Sequence, residues 1–346
     1  MTVMPSAPFL AAARGESTSH TPVWFMRQAG RALPEYKAVR GEGSILHAIK
    51  NPELSAAITI QPVTRYGVDA AVLYSDIVVP AHAIGFGMDV APGTGPVASE
   101  PFRSPSDLAR VRVFEPEIDT PYVIETVKIL AKELRVPILA FAGAPFTVGS
   151  YLIEGRPSRT YEHTKALMHT DETTWHELMG RLADHAIASI QSQLDAGASA
   201  FQLFDSWAGA LSRRDYERYA MPHSSQVFAE LKASHPDAAG IHFGIGCDHL
   251  LESMYAAGAT IMGLDWRTRI ADARTRLGSG TVIQGNLDPA IVLAGWPVAQ
   301  RGCDEVLADN AGHPGHIFNL GHGVQPNTDP GVLEQVVAYV HESTRV

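Results

Sequence analysis

The chain has 346 residues, 45% of them hydrophobic and 18% charged, with a formal net charge of −10. That balance fits a globular protein with a large core and excludes a disordered chain. The acidic charge argues against nucleic acid or an anionic membrane as the main ligand, so any anion site has to be built locally from a few arginines and backbone donors. Two cysteines, Cys247 and Cys303, are too few for a disulfide framework or an all-cysteine metal site, and they suit a reducing cytosol. Residues 1–20 lack a basic start, and their apolar stretch, Pro8 to Ala13, is short and closed by Arg14. They read as a partly disordered leader rather than a signal peptide. No apolar run reaches the roughly 18 residues that a membrane span needs. The chain therefore reads as a cytoplasmic protein.

From there on, short apolar or β-branched runs alternate with longer amphipathic stretches, the pattern of parallel α/β architecture. Eight strands are predicted: Pro22–Met26, Ala70–Tyr74, Pro137–Ala142, Ala200–Phe204, Gly240–Phe243, Thr260–Leu264, Thr281–Gln284 and His316–Leu320. Helical segments fall at Pro121–Glu133, Glu172–Ala196, Arg214–Ala233, Asp248–Ala257 and Gly331–Glu342. In the second of these, Trp175, Leu178, Met179, Leu182, Ala186 and Ile190 recur at helical spacing and predict one buried face. The Gly/Pro-rich stretch Pro92–Pro105 reads as an insertion able to form a short hairpin. No stretch reads as an interdomain linker, so residues 21–346 are expected to form one catalytic domain.

Nearly every predicted strand ends in a polar or glycine-rich cluster: Arg27-Gln28, Ser75-Asp76, Gly143-Ala144-Pro145, Asp205-Ser206, Gly244, Asp265-Trp266, Gly285-Asn286-Leu287-Asp288 and Gly321-His322-Gly323. A (β/α)8 TIM barrel would bring all of these ends around one mouth, whereas an open doubly wound sheet would gather them at one switch point. The barrel is the expected fold.

Several residues at these ends are candidates for chemistry. Arg27 and Arg31 flank Gly30 and precede Pro34, a context that favours an anion clamp over a solvated helix face, since two guanidinium forks capture carboxylates bidentately. Asp76 can be a helix N-cap, or it can present a carboxylate to an apolar mouth, where it needs N–H donors or a cation. Tyr151 can be a packed aromatic or a hydroxyl donor to a ligand. Ser206 lacks a base nearby in sequence and is not read as a nucleophile. His322, between two glycines, is either a turn residue or part of an anion site after the last strand. None of the fifteen histidines stands at a tight ligand spacing, so no metal is expected. Gly244-Ile245-Gly246 lacks the rest of a dinucleotide fingerprint, so no nicotinamide cofactor is expected either.

The run Pro22-Val23-Trp24-Phe25-Met26-Arg27-Gln28-Ala29-Gly30-Arg31, followed by Leu33-Pro34-Glu35-Tyr36, resembles the signature of the uroporphyrinogen decarboxylase family. The resemblance continues through Tyr74-Ser75-Asp76-Ile77, Phe141 to Thr147, Tyr151 to Gly155, Gln284 to Pro289 and Phe318 to Val324. It implies a cofactor-free homodimeric barrel that takes uroporphyrinogen III to coproporphyrinogen III by losing four acetate carboxyls as CO2. Carried over by motif, the substrate contacts would be Arg27, Gln28, Ala29, Gly30, Arg31, Asp76, Tyr151, Ser206 and His322. Asp76 would face the pyrrole N–H groups and stabilise the transition state, with Arg27 as its partner in catalysis. Ala32, Cys247-Asp248-His249, Gln325 and Asn327 depart from the family pattern beside these positions. Two rivals remain at this stage: a related barrel methyltransferase of the cobamide or thiol type, and a tetrapyrrole carrier without turnover.

Overall fold

The computed structural model describes residues 7–30, 32–41, 43–91 and 93–346. Numbered in chain order, its strands are β1 (Ala71–Val72), β2 (Met88–Ala91), β3 (Gly95–Ala98), β4 (Ile138–Gly143), β5 (Ala200–Phe204), β6 (Ala239–Phe243), β7 (Ile261–Gly263), β8 (Val282–Gln284) and β9 (His316–Ile317). β1 and β4 to β9 pair side by side in chain order, each neighbour parallel. All six residues of β4 are buried, as expected of strands covered on both faces.

The predicted first strand closes the ring. Phe318 donates its N–H to Pro22 O (2.8 Å), Trp24 N–H reaches Phe318 O (3.3 Å), and Asp69 N–H reaches Val23 O (2.8 Å). Residues 22–26 thus stand between β9 and β1 as the eighth stave of a (β/α)8 barrel, although only Val23 forms a formal bridge. Inside the barrel Trp24 Nε1 donates to Gln284 Oε1 (3.0 Å) and Gln284 Nε2 to Gln202 Oε1 (2.9 Å). This buried chain satisfies polar groups that would otherwise be costly in the core.

The helices follow from caps and periodicity. Asp171 accepts the Thr174 N–H at 3.0 Å and opens helix Glu172–Asp195. All six residues predicted for its inner face are buried, each large side chain contributing about 1.5–3 kcal/mol of burial. Pro121–Glu133 matches its prediction, and the last helix runs Pro330–Ser343. The predicted Arg214–Ala233 helix contains a π-turn, Tyr216–Ala220, just before Pro222, which has no N–H to keep the α-ladder in step. Helix Pro145–Glu154 carries Gly149 in its middle. A Cβ there would lie 3.3 Å from Leu182 and closer still to Met179, so the glycine permits tight helix packing rather than breaking the helix.

Two expectations differ from the structure. Within the stretch expected as a disordered leader, Pro8–Ala13 is a helix whose Phe9, Ala11, Ala12 and Ala13 are buried, because its apolar side chains pack into the core beside Val23 and Phe318. The insertion does form an antiparallel hairpin, but β2 starts ahead of the Gly/Pro run. Among the described residues no helix is long and apolar enough to cross a membrane.

Candidate active site

A cavity of about 790 Å³ opens where the strands end, within the size of ordinary ligand pockets. Its walls carry Met26 at the end of the stave 22–26 and Arg27 just beyond it, Tyr74 to Asp76 beyond β1, Ser206 beyond β5 and His322 beyond β9. Phe141, Phe204 and Phe243 form an apolar floor, and the β2–β3 hairpin adds Val90 and Thr94 on one side. The ends of β7 and β8 do not join it. Asp265 is buried and accepts N–H groups from Gly246 (2.6 Å) and Arg267 (2.9 Å), while Asn286 Nδ2 holds the carbonyls of Asp265 (2.7 Å) and Thr268 (2.6 Å). Those polar ends brace loops.

The segment after the first stave divides into framework and site. Arg27 and Ala29 line the cavity. Gln28, predicted as a substrate contact, is instead turned inward: its Oε1 accepts Phe25 N–H (2.9 Å) and its Nε2 donates to Ala70 O (3.0 Å). Gly30, also predicted as a contact, supplies a left-handed turn at φ 104° that backs onto the Tyr36 ring. Arg31 lies outside the described residues. The same loop is held from the other side, with Val324 N–H on Met26 O (2.9 Å) and Met26 N–H on Asn319 Oδ1 (3.1 Å). So fixed, Arg27 sits at φ 61°, an uncommon conformation for a non-glycine residue that the surrounding bonds maintain.

Asp76 is half-buried and uses Oδ1 to accept Val78 N–H at 3.1 Å. It is not the helix N-cap expected, since Val78 takes that place at helix Val79–Ala83; its bond closes the turn ahead of that helix, and the same residue lines the cavity. Tyr151 stands on helix Pro145–Glu154 with its ring 3.8 Å from that of Trp207. Burial pushes its phenol well above the ordinary range, the negative charge of Asp76 pushes it further, and Arg27 opposes. Tyr151 therefore remains a hydroxyl donor, in electrostatic reach of both charged groups. Ser206 is positioned by its neighbours: Asp205 Oδ1 accepts Thr147 Oγ1–H (2.9 Å), and Thr147 Oγ1 accepts Trp207 N–H (3.2 Å). At His322, Gly323 N–H donates to Nδ1 at 2.6 Å, which places the hydrogen of a neutral ring on Nε2. Its flanking glycines serve close approach: Cβ atoms there would collide with the Trp266 backbone and with the Arg27 side chain.

Sequence reasoning missed Arg40, which ends helix Pro34–Arg40 and lines the cavity beside Tyr36. It donates to Gly43 O, its guanidinium lies 5.9 Å from the Tyr36 ring centre, and its Nε is buried without a hydrogen-bond partner. A third arginine shortly after Arg27 and Arg31 was the available signal, but helical spacing alone does not say which side faces inward. Among the described lining residues, two arginines meet one aspartate, so a locally cationic rim exists in a chain of net charge −10.

The family described as Uroporphyrinogen decarboxylase (URO-D) matches residues 4–343. A uroporphyrinogen decarboxylase of Salinispora tropica is 53% identical over 98% of this chain and 91% of its own length. One from Mycolicibacterium smegmatis is 50% identical over 98% of each chain. Among solved structures, a methyltransferase from Methanosarcina mazei superposes with a TM-score of 0.82 at 18% identity, covering 97% of this chain and 98% of its own. A B12-independent methionine synthase from Shewanella follows at a TM-score of 0.60 and 11% identity, covering 94% of this chain and 97% of its own. At those identities the likeness concerns the barrel alone. With one family matched over nearly its whole length, and relatives of that family identical at about half of all positions, the chain belongs to the uroporphyrinogen decarboxylase family.

Proposed function

We infer that this cavity is where the chain removes the acetate carboxyls of uroporphyrinogen III as CO2, giving coproporphyrinogen III in tetrapyrrole biosynthesis. The observation that carries the reading is convergence: Arg27, Asp76, Tyr151, Ser206 and His322, scattered through the sequence, line one cavity. Its apolar floor suits a macrocycle, and its arginines suit the carboxylate fringe of that macrocycle.

Each turnover breaks one C–C bond between an acetate CH2 and its carboxylate. Protonating a pyrrole carbon makes the ring cationic, and the electron pair of the broken bond flows into the ring as CO2 leaves. The remaining CH2 takes up a proton to become methyl, and the ring carbon returns its own. One proton is consumed per CO2. Asp76 accepts the pyrrole N–H groups and stabilises the cationic ring, a fixed charge aimed at where charge develops. Arg27 grips and orients a carboxylate; a guanidinium is a poor acid at neutral pH, so its role in proton handling is indirect. Arg40 anchors the rim, Arg31 binds a substrate carboxylate as its motif implies, Tyr151 donates its hydroxyl, and Ser206 and His322 bind side-chain carboxylates. Ala29 contributes wall. The catalytic unit is a single barrel domain with helix Pro8–Ala13 packed into its core, working as a cytoplasmic homodimer; sedimentation equilibrium reads the oligomeric state.

A thiolate–zinc methyltransferase finds no support in the residues. His242 Nδ1 faces Met254 O at 3.0 Å and Cys303 is packed in the core, both away from the cavity. The test is anaerobic incubation with uroporphyrinogen III. Seven-, six-, five- and four-carboxylate products should appear, and Asp76→Asn, which keeps the oxygen that accepts Val78 N–H, should slow them about 100- to 1000-fold. Binding without products in the unaltered chain would favour a carrier; near-normal rates in Asp76→Asn would remove Asp76 from the chemistry.

A further inference from the structure

At the opposite rim, where the barrel strands begin, three side chains far apart in sequence meet. His20 precedes the first stave, Asp69 precedes β1, and His341 lies on helix Pro330–Ser343. His20 Nε2 is 3.0 Å from Asp69 Oδ1, and His341 Nε2 is 2.7 Å from Asp69 Oδ2. The three donor atoms all fall within 4.8 Å of one another. The imidazole centres are 4.1 Å apart. The Asp69 side chain is only 11% exposed, while the imidazoles, at 22% and 23%, reach solvent.

Two imidazole nitrogens and a carboxylate oxygen form the donor set of a borderline divalent cation. Tetrahedral bonds of 2.0–2.1 Å place neighbouring ligand atoms about 3.3 Å apart, so the two close histidine–carboxylate approaches need to open by a few tenths of an ångström, and the remaining separations, none above 4.8 Å, to close by about 1.5 Å at most. The surroundings fit this use. Val23 N–H holds Asp69 Oδ2 at 2.7 Å and orients the carboxylate. His20 Nδ1 lies 3.1 Å from Ser19 Oγ, which can accept the ring hydrogen once Nε2 is committed to a metal. Solvent access on the imidazole side leaves room for water as the fourth ligand.

We propose that His20, Asp69 and His341 form a binding site for one divalent transition-metal cation of the Zn2+ or Co2+ type, separate from the decarboxylation cavity. The site joins the N-terminal segment, the start of β1 and the last helix, and so acts as a staple across the base of the barrel. A site at this rim serves stability, since chemistry sits at the other end of the strands.

The test uses the full chain, stripped with a chelator and titrated with CoCl2 by visible absorption and with ZnCl2 by calorimetry. One equivalent should bind, with a cobalt d–d spectrum. His20→Ala and His341→Ala should each weaken binding by at least about 100-fold, beyond the loss typical of an outer-shell change. Zn2+ should raise the melting temperature of the unaltered chain and of neither variant, and decarboxylation should be unchanged in both. His223→Ala is the control, because His176 Nδ1 and His223 Nε2, 2.9 Å apart, are another pair able to hold a cation. Uptake that survives in His341→Ala, uptake lost in His223→Ala, or no one-equivalent binding at all would overturn the proposal. His341→Gln, with circular dichroism, guards against a variant that fails to fold.

Discussion

Replacing Gly323 by alanine should disable Arg27 without touching any charge. A Cβ at Gly323 would lie 2.8 Å from Arg27 Cγ and 3.1 Å from its Nε, and nearer still to Cδ. Carbon atoms pack at about 3.5–4.0 Å, so something must retreat by about 1 Å. The Arg27 backbone cannot: Gln28 ties it to Phe25 and Ala70, and Val324 ties it to Met26. The side chain therefore moves, and its guanidinium leaves the position that orients a carboxylate. A misplacement of about 1 Å costs on the order of 100-fold in rate, or about 2.7 kcal/mol in kcat/KM. The assay is anaerobic conversion of uroporphyrinogen III, with products separated by carboxylate number and melting temperature followed as a check on folding. A double-mutant cycle with Arg27→Ala isolates the cause, because adding Gly323→Ala to that background should cost little. Near-normal kcat/KM in Gly323→Ala, or strictly additive losses in the cycle, would refute the reasoning.

Arg40→Gln should raise KM about 10-fold or more with kcat little changed, the signature of a carboxylate anchor used equally in ground and transition states; an unchanged KM would put Arg40 outside the substrate's reach. His316 should make the protein acid-sensitive. Its Nε2 donates to Gly285 O at 2.8 Å, and burial brings its pKa down to about 4 despite that bond, with Arg274 pushing the same way. In the unfolded chain the ring takes a proton near pH 6.5, so its neutral burial costs nothing above that value and destabilises as pH falls from 6.5 toward 4. Urea unfolding should show a loss of about 2 kcal/mol from this residue between pH 7 and pH 5. The difference should shrink in His316→Gln; an identical pH slope there would place the sensitivity elsewhere.

Hydrophobic patterning determined much of this protein by itself. The runs at 138–143 and 200–204 are continuous because those strands are covered on both faces, and the inner face of Glu172–Asp195 follows from a period that needs no partner to be recognised. The motifs around Arg27, Asp76 and His322 likewise carried the family, since their order along the chain is itself information. Tertiary structure decided what each polar residue faces. Gln28 and Arg27 are adjacent in sequence, yet the first holds the loop and the second meets the cavity, because a left-handed turn at Arg27 sends their side chains different ways. Arg40 became a site residue only when helix Pro34–Arg40 docked, and the polar ends of β7 and β8 became loop braces when their carbonyl partners arrived. His20, Asp69 and His341 are the extreme case. No local spacing joins residues from opposite ends of a chain; the closing of the barrel brings them within reach of one another, as it does the residues of the cavity.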